Sequence, residues 1–209
     1  MGRCVIFCAG GFDFPVFPIQ KDDFLIAADG GTDHVRRLGL TPHEILGDFD
    51  SLGYVPEGAQ VFPVEKDDTD AMLAVRRGLA LGYREFLLYG CLDGPRLDHT
   101  VANLQLLQYL ADHGAFGVLA GLTHAAAVIK NGILRFPGSS NGFFSVFCTG
   151  PDARGVTIQG ARYELKNGTL TAGFPLGVSN HFLGRETEIA VTDGSLLVIW
   201  ERSDGFPHR

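Results

Sequence analysis

The 209-residue chain is 45% apolar and carries 17 basic against 24 acidic residues, for a net charge of −7. That balance argues against a general nucleic-acid or anionic-membrane binder, because both partners want a basic face. The N-terminal apolar run is interrupted at Gly10, Gly11 and Asp13, and no later run reaches the roughly 18 residues of a membrane span, so a soluble cytoplasmic protein is expected.

Up to about residue 122, short apolar runs alternate with helical patterns. The runs are "CVIFCAG", "FLIAADG", "EILGD", "QVFPV", "EFLLYGC" and "FGVLAG". Each is bounded by Gly or Asp and reads as a strand buried on both faces. "DTDAMLAVRRGLAL" puts Met72, Val75 and Leu79 at helical spacing. "DHTVANLQLLQYLADHG" does the same with Val101, Leu104, Leu107 and Ala111, and Gly114 stops it. This alternation predicts an α/β domain with a Rossmann-like, doubly wound, mostly parallel sheet. After about residue 123 the helical rhythm vanishes. "IKNGIL", "LKNGTL" and "VTDGSL" read as hairpins, since Asn-Gly and Asp-Gly accept the positive φ of tight turns. An all-β domain follows, an antiparallel β-sandwich or a barrel. The boundary falls near residues 123 to 126, giving domains 1–124 and 125–209. Cys4, Cys8, Cys91 and Cys148 show no metal-ligand spacing and read as buried thiols of a reducing compartment.

In an open α/β sheet, ligands bind at the carboxyl ends of the strands. Ala9-Gly10-Gly11 follows the first strand and Asp29-Gly30-Gly31 the second. Asp48, Phe49, Asp50 and Ser51 follow the third, and Asp67, Asp68 and Asp70 the fourth. Asp93, Arg96, Asp98 and His99 follow the fifth. Carboxylates gathered at one edge need a cation, and oxygen ligands without His or Cys suit Mg2+. Phe49 should turn into the core and leave Asp48 and Asp50 facing the ligand. The glycines let backbone N–H groups approach phosphate. The helix start "KDDTDAML", capped by Asp68 or Thr69, adds a dipole that favours anions. The set describes a Mg2+–nucleotide site. Taken singly, each piece has a plainer reading: Asp50-Ser51 is a turn or cap signal, the acids of "KDDTD" complement a helix dipole, and His99 suits a helix start. No GxxxxGK[ST], GxGxxG or Gly-x-Ser-x-Gly occurs, which excludes a P-loop enzyme, an ordinary dinucleotide binder and a serine hydrolase elbow.

In this order, "AADGG", "LGDFDSL", "EKDDTDAMLAV", "RLDHTVANL" and "LGVSNHF" resemble the thiamine pyrophosphokinase family over nearly the whole chain. The resemblance implies pyrophosphoryl transfer from ATP to the hydroxyl of thiamine, giving thiamine diphosphate and AMP. It implies an ATP- and Mg2+-binding domain over 1–124 and a thiamine-binding β-sandwich over 125–209, in a homodimer with active sites between subunits. Asp48, Asp50, Asp67 and Asp70 match the metal-binding acids. Asp29, Gly30, Gly31, Ser51, Arg96 and His99 match the ATP side, and Ser179 and Asn180 the thiamine side. The implied catalytic set is Asp48, Asp50, Asp67, Asp70, Arg96 and Asp98, with Asp70 or Asp98 taking the hydroxyl proton. In "GPRLDH" this chain departs from the Gly-Gly-Arg common in the family, and Pro95 removes one N–H donor. Trp200, the sole tryptophan, fits a core, an interface or a stacking role. Two other functions fit the acids: a Mg2+-dependent phosphohydrolase or nucleotidyltransferase, and a non-catalytic thiamine or nucleotide sensor.

Overall fold

A computed structural model describes residues 2–50, 52–65, 67–202 and 206–209. The chain divides into two units, Met1–Leu122 and Thr123–Arg209. The sequence puts the division at 124/125; in the structure His124 already opens a strand of the second unit.

The first unit holds β1 (Cys4–Phe7), β2 (Phe24–Ala28), β3 (Glu44–Gly47), β4 (Gln60–Val61), β5 (Glu85–Tyr89) and β6 (Phe116–Ala120). They pair in parallel in the order β6-β5-β1-β2-β3-β4. β1, β2, β5 and β6 are buried along almost their whole length, as their unbroken apolar sequences require. β4 is a correction. Only Gln60 and Val61 pair, both exposed, because the run lies on the sheet edge and Pro63 has no N–H to continue the ladder.

Three helices connect these strands: α1 (Gly31–Arg37), α2 (Asp70–Ala80) and α3 (Leu97–Asp112). The sequence reading missed α1. Its seven residues, GTDHVRR, offer Val35 as their sole aliphatic side chain, too little for a periodic stripe. Gly31 lies so close to β1 that a Cβ there would run into the Phe7 carbonyl. Thr69 caps α2, its Oγ1 accepting from the Met72 N–H at 3.2 Å. The buried stripe of α2 is Ala71, Ala74, Val75 and Gly78, with Met72 and Leu79 half-buried beside it. A Cβ on Gly78 would meet the Phe86 ring at 2.6 Å, so small residues set how close the helix sits. In α3, Leu106, Leu107 and Leu110 are buried, each contributing about 1.5–3 kcal/mol. Val101, part of the stripe the spacing predicts, is half-exposed, and the buried residues of α3 all lie in its second half.

The second unit holds β7 (His124–Lys130), β8 (Ile133–Phe136), β9 (Phe143–Cys148), β10 (Asp152–Gln159), β11 (Leu165–Thr171), β12 (Gly177–His181), β13 (Thr187–Ala190) and β14 (Ser195–Glu201). They form two antiparallel layers, β12-β9-β14-β7 and β11-β10-β13-β8. Phe136 ties the layers together, its ring centroid 5.2 Å from Trp200 and 5.0 Å from Phe182. Trp200 is a core residue, 1% exposed. None of the Asn-Gly or Asp-Gly stretches closes a hairpin among the described strands. β7 pairs with β14 and β8 with β13, so "IKNG" and "VTDG" carry the chain from one layer to the other. These two turns brace each other: the Gly194 N–H donates to Asn131 Oδ1 at 2.8 Å and the Asn131 N–H to the Gly194 carbonyl at 3.1 Å. "LKNGTL" lies inside β11, where Asn167 (φ 51°) forms an irregularity against β10. A residue that tolerates positive φ serves a bulge as well as a turn. No helix among the described residues is long and apolar enough to cross a membrane.

Candidate functional site

A cavity of about 530 Å3 opens at the carboxyl ends of β1, β2, β3 and β5. The N-terminal turns of α2 and α3 form its other side, through Asp70, Ala71, His99 and Thr100. Helix N-termini carry unpaired N–H groups and the positive dipole end, so this side favours an anion.

The carboxylates are set by the turns that leave β2 and β3. Asp29 adopts φ 48° directly after β2. Its N–H donates to the Leu46 carbonyl at 2.9 Å, and its own carbonyl accepts from the Thr32 N–H and hydroxyl at 3.1 and 2.9 Å. After β3, Phe49 takes φ 60° and buries its ring to 3% exposure. The turn it makes leaves Asp48 and Asp50 on the cavity wall, with the Asp50 N–H 3.4 Å from Asp48 Oδ1. One carboxylate oxygen each from Asp29, Asp48 and Asp50 lies within 4.8 Å of the others. Three carboxylates this close repel unless a cation screens them. An all-oxygen donor set fits a hard divalent ion such as Mg2+.

The grouping differs from the sequence reading in its members. Asp29, read as a nucleotide neighbour, stands with Asp48 and Asp50. Asp70 lines the cavity, and so does Asp68, whose carboxylate pairs with Arg76 at 2.7 Å. Asp67 is exposed and does not line it. Gly30 and Gly31 also stand off the wall, and Gly31 packs against β1 instead. Ser51 lies outside the described residues. Adjacency of β2 and β3 is what joins Asp29 to the pair, and strand order is not written in any one motif.

Arg96, Pro95 and His99 line the side opposite β3. The Arg96 guanidinium reaches Asp98 Oδ2 at 2.6 Å, with both side chains about two-thirds exposed. That hydrogen bond holds the Asp98 carboxyl below its ordinary range and raises Arg96. Asp98 itself does not line the cavity. Thr100 and Asn103, overlooked in the sequence, donate to the Leu92 and Cys91 carbonyls at 3.2 and 2.8 Å and pin the loop after β5 to α3. Cys8 and Cys91 sit in the floor. Hydrogen bonding to Cys8, together with burial, pushes the Cys91 thiol well above its ordinary pKa, so it is an unreactive wall group.

In the second unit, Ser179 (φ 61°) and Asn180 lie on β12 where its register against β9 shifts. Asn180 is 4% exposed and its amide is committed inside the protein. Oδ1 accepts from the Tyr163 and His181 N–H groups at 3.0 and 2.8 Å, and Nδ2 donates to the Tyr163 carbonyl at 2.7 Å. Asn180 therefore fixes the backbone that presents the exposed Tyr163 ring. No sequence motif singled out Tyr163.

Two family models match the chain: "Thiamin pyrophosphokinase, catalytic domain" over residues 18–116 and "Thiamin pyrophosphokinase, vitamin B1 binding domain" over 134–196. Between them they cover more than three quarters of the 209 residues. The thiamine pyrophosphokinase of Bacillus subtilis (strain 168) is 27% identical over 190 residues, covering 83% of this chain and 85% of that protein. A crystal structure of a Bacillus subtilis thiamine pyrophosphokinase superposes with TM-score 0.83 at 24% identity, over 95% of this chain and 99% of that one. A thiamin pyrophosphokinase from Candida albicans superposes with TM-score 0.78 at 13% identity, over 96% and 89%. At these identities the structural likeness establishes the shared fold.

Proposed function

The chain belongs to the thiamin pyrophosphokinase family, and from that premise we propose that it transfers a pyrophosphoryl group from ATP to the hydroxyl of thiamine, releasing AMP. The observation that carries this reading is the carboxylate group of Asp29, Asp48 and Asp50 in a cavity that also holds Arg96. The strand order supports a doubly wound sheet. The chain steps outward from β1 to β4, then returns to the other side of β1 for β5 and β6. The cavity lies at that reversal, where such sheets bind ligands.

Phosphoryl-type transfer depends on positioning and charge neutralisation more than on covalent help. Asp29, Asp48 and Asp50 would hold Mg2+, with Asp70 nearby on the wall; bound there, the ion supplies positive charge against the phosphate oxygens. Arg96 adds a cation from the opposite wall, and the starts of α2 and α3 offer N–H groups to the phosphates. Asp70 accepts the hydroxyl proton in this scheme. Asp98 is the weaker candidate, since Arg96 lowers its basicity and it lies off the wall. The thiamine hydroxyl attacks the β-phosphorus and AMP departs.

Thiamine is assigned to the second unit, where Asn180 acts through Tyr163 and Ser179 stands exposed beside it. Phe143, Phe174, Leu176, Val178 and Leu183 are 45% to 65% exposed on and around β12. Apolar exposure on this scale supports a homodimer in which a second copy covers them. Free cysteines suit the cytoplasm.

Incubation with ATP, Mg2+ and thiamine should yield thiamine diphosphate and AMP in equal amounts. AMP or phosphate released equally without thiamine would mean a phosphohydrolase. Binding with no product would mean a sensor.

A further inference from the structure

Part of the cavity wall is Ala9 and Gly10, a loop that leaves β1. From the β5 side, this loop is held by the Gly10 N–H on the Gly90 carbonyl at 3.0 Å and the Gly11 N–H on the Asp93 carbonyl at 2.5 Å. From the other side it is held by α1. His34 Nε2 lies 2.9 Å from the Gly10 carbonyl oxygen, and His34 Nδ1 lies 3.1 Å from the terminal nitrogen of Arg37. That same Arg37 nitrogen donates to the Phe12 carbonyl at 2.7 Å.

These contacts fix the state of the ring. A guanidinium can only donate, so Nδ1 must accept and carries no proton. Nε2 therefore carries the hydrogen and donates it to the Gly10 carbonyl. The neutral Nε2–H tautomer is the one form that satisfies both partners. The imidazole also packs on Phe12, centroids 5.2 Å apart, and Phe12 in turn meets Phe7 and Tyr89 at 5.4 and 5.3 Å. His34 thus joins the loop, the helix and the aromatic core behind β1.

We infer that His34 is a positioning residue for nucleotide binding, holding the Gly10 carbonyl and with it the β1 wall of the cavity. This rests on the nucleotide reading of that cavity. His34 is not itself on the wall; its hydrogen bond to the lining is the one to the Gly10 carbonyl.

Two measurements test it. Long-range 1H–15N NMR of the wild-type protein should report His34 as the Nε2–H tautomer; an Nδ1–H tautomer overturns the inference without any variant. Calorimetric titration with ATP and Mg2+ then compares wild type, His34→Leu and His34→Gln. Leucine removes the donor, and nucleotide affinity should fall roughly 3- to 10-fold. Glutamine places an amide N–H near the old Nε2 and should restore most of it. In turnover, KM for ATP should rise while kcat at saturating ATP holds. Wild-type binding that His34→Leu matches sinks the inference and leaves the nucleotide reading intact. No binding by wild type sinks the nucleotide reading itself.

Discussion

The two units handle polar groups in opposite ways. In the first, Asp29, Asp48 and Asp50 follow the carboxyl ends of the adjacent strands β2 and β3, and the sheet delivers the carboxylates to one cavity. In the second, Asn180 of the "SN" element turns inward and shapes the backbone, while Phe174, Leu176, Val178 and Leu183 stand exposed on and around the same strand. The carboxylates gather at strand ends; the exposed apolar side chains gather on and around β12. Removing one carboxylate should therefore disable chemistry without unfolding, whereas removing a residue from the second unit should cost structure first.

The largest effect should come from that second core. Phe136→Ala removes the ring shared by Trp200, Phe144 and Phe182 and should destabilise the second unit by about 3–5 kcal/mol, read by urea denaturation. Asp50→Ala should leave the melting curve unchanged and lower thiamine-dependent AMP formation by about 100-fold or more. A folded Asp50→Ala protein with near wild-type turnover would remove Asp50 from the site. Asn180→Ala leaves the Tyr163 backbone groups without their partner and should cost roughly 1–2 kcal/mol of stability. It should also raise KM for thiamine more than KM for ATP. An unchanged thiamine KM would separate Asn180 from recognition.

The smallest effect concerns the opposite end of the parallel sheet. Arg3 and Asp23, just before β1 and β2, form an ion pair at 2.6 Å with the Asp23 side chain fully buried. Burial pushes Asp23 up, but hydrogen bonds from Arg3 and Gln20 outweigh it and hold the carboxyl below its ordinary value. A depressed folded pKa stabilises above the unfolded value near about 3.9 and is lost as pH falls through the folded one. The wild-type Tm should therefore drop below about pH 4 more steeply than that of Asp23→Asn, with turnover at neutral pH unaffected by the substitution.

Much of the first unit was legible because its strands are unbroken apolar runs ending in Gly or Asp, and the buried Phe49 between two outward acids follows from that alternation. What escaped was relational. α1 has one aliphatic anchor, Val35, so no periodicity marks it. Asp29 joins Asp48 and Asp50 through the pairing of β2 with β3, which no local motif encodes. Asn-Gly and Asp-Gly predict hairpins because they tolerate positive φ, yet that tolerance equally suits a step between layers at Asn131 and a bulge at Asn167. The family resemblance implies a thiamine contact at Asn180. Its burial and three hydrogen bonds show instead an amide committed to the backbone of Tyr163 and His181.

The most direct test of the carboxylate site as a pyrophosphoryl-transfer centre is to follow ATP labelled at its β-phosphate in the presence of Mg2+ and thiamine. The label should appear in thiamine diphosphate, in step with unlabelled AMP, and transfer should cease in Asp50→Ala. Label in ADP or in free pyrophosphate, formed at the same rate without thiamine, would contradict it.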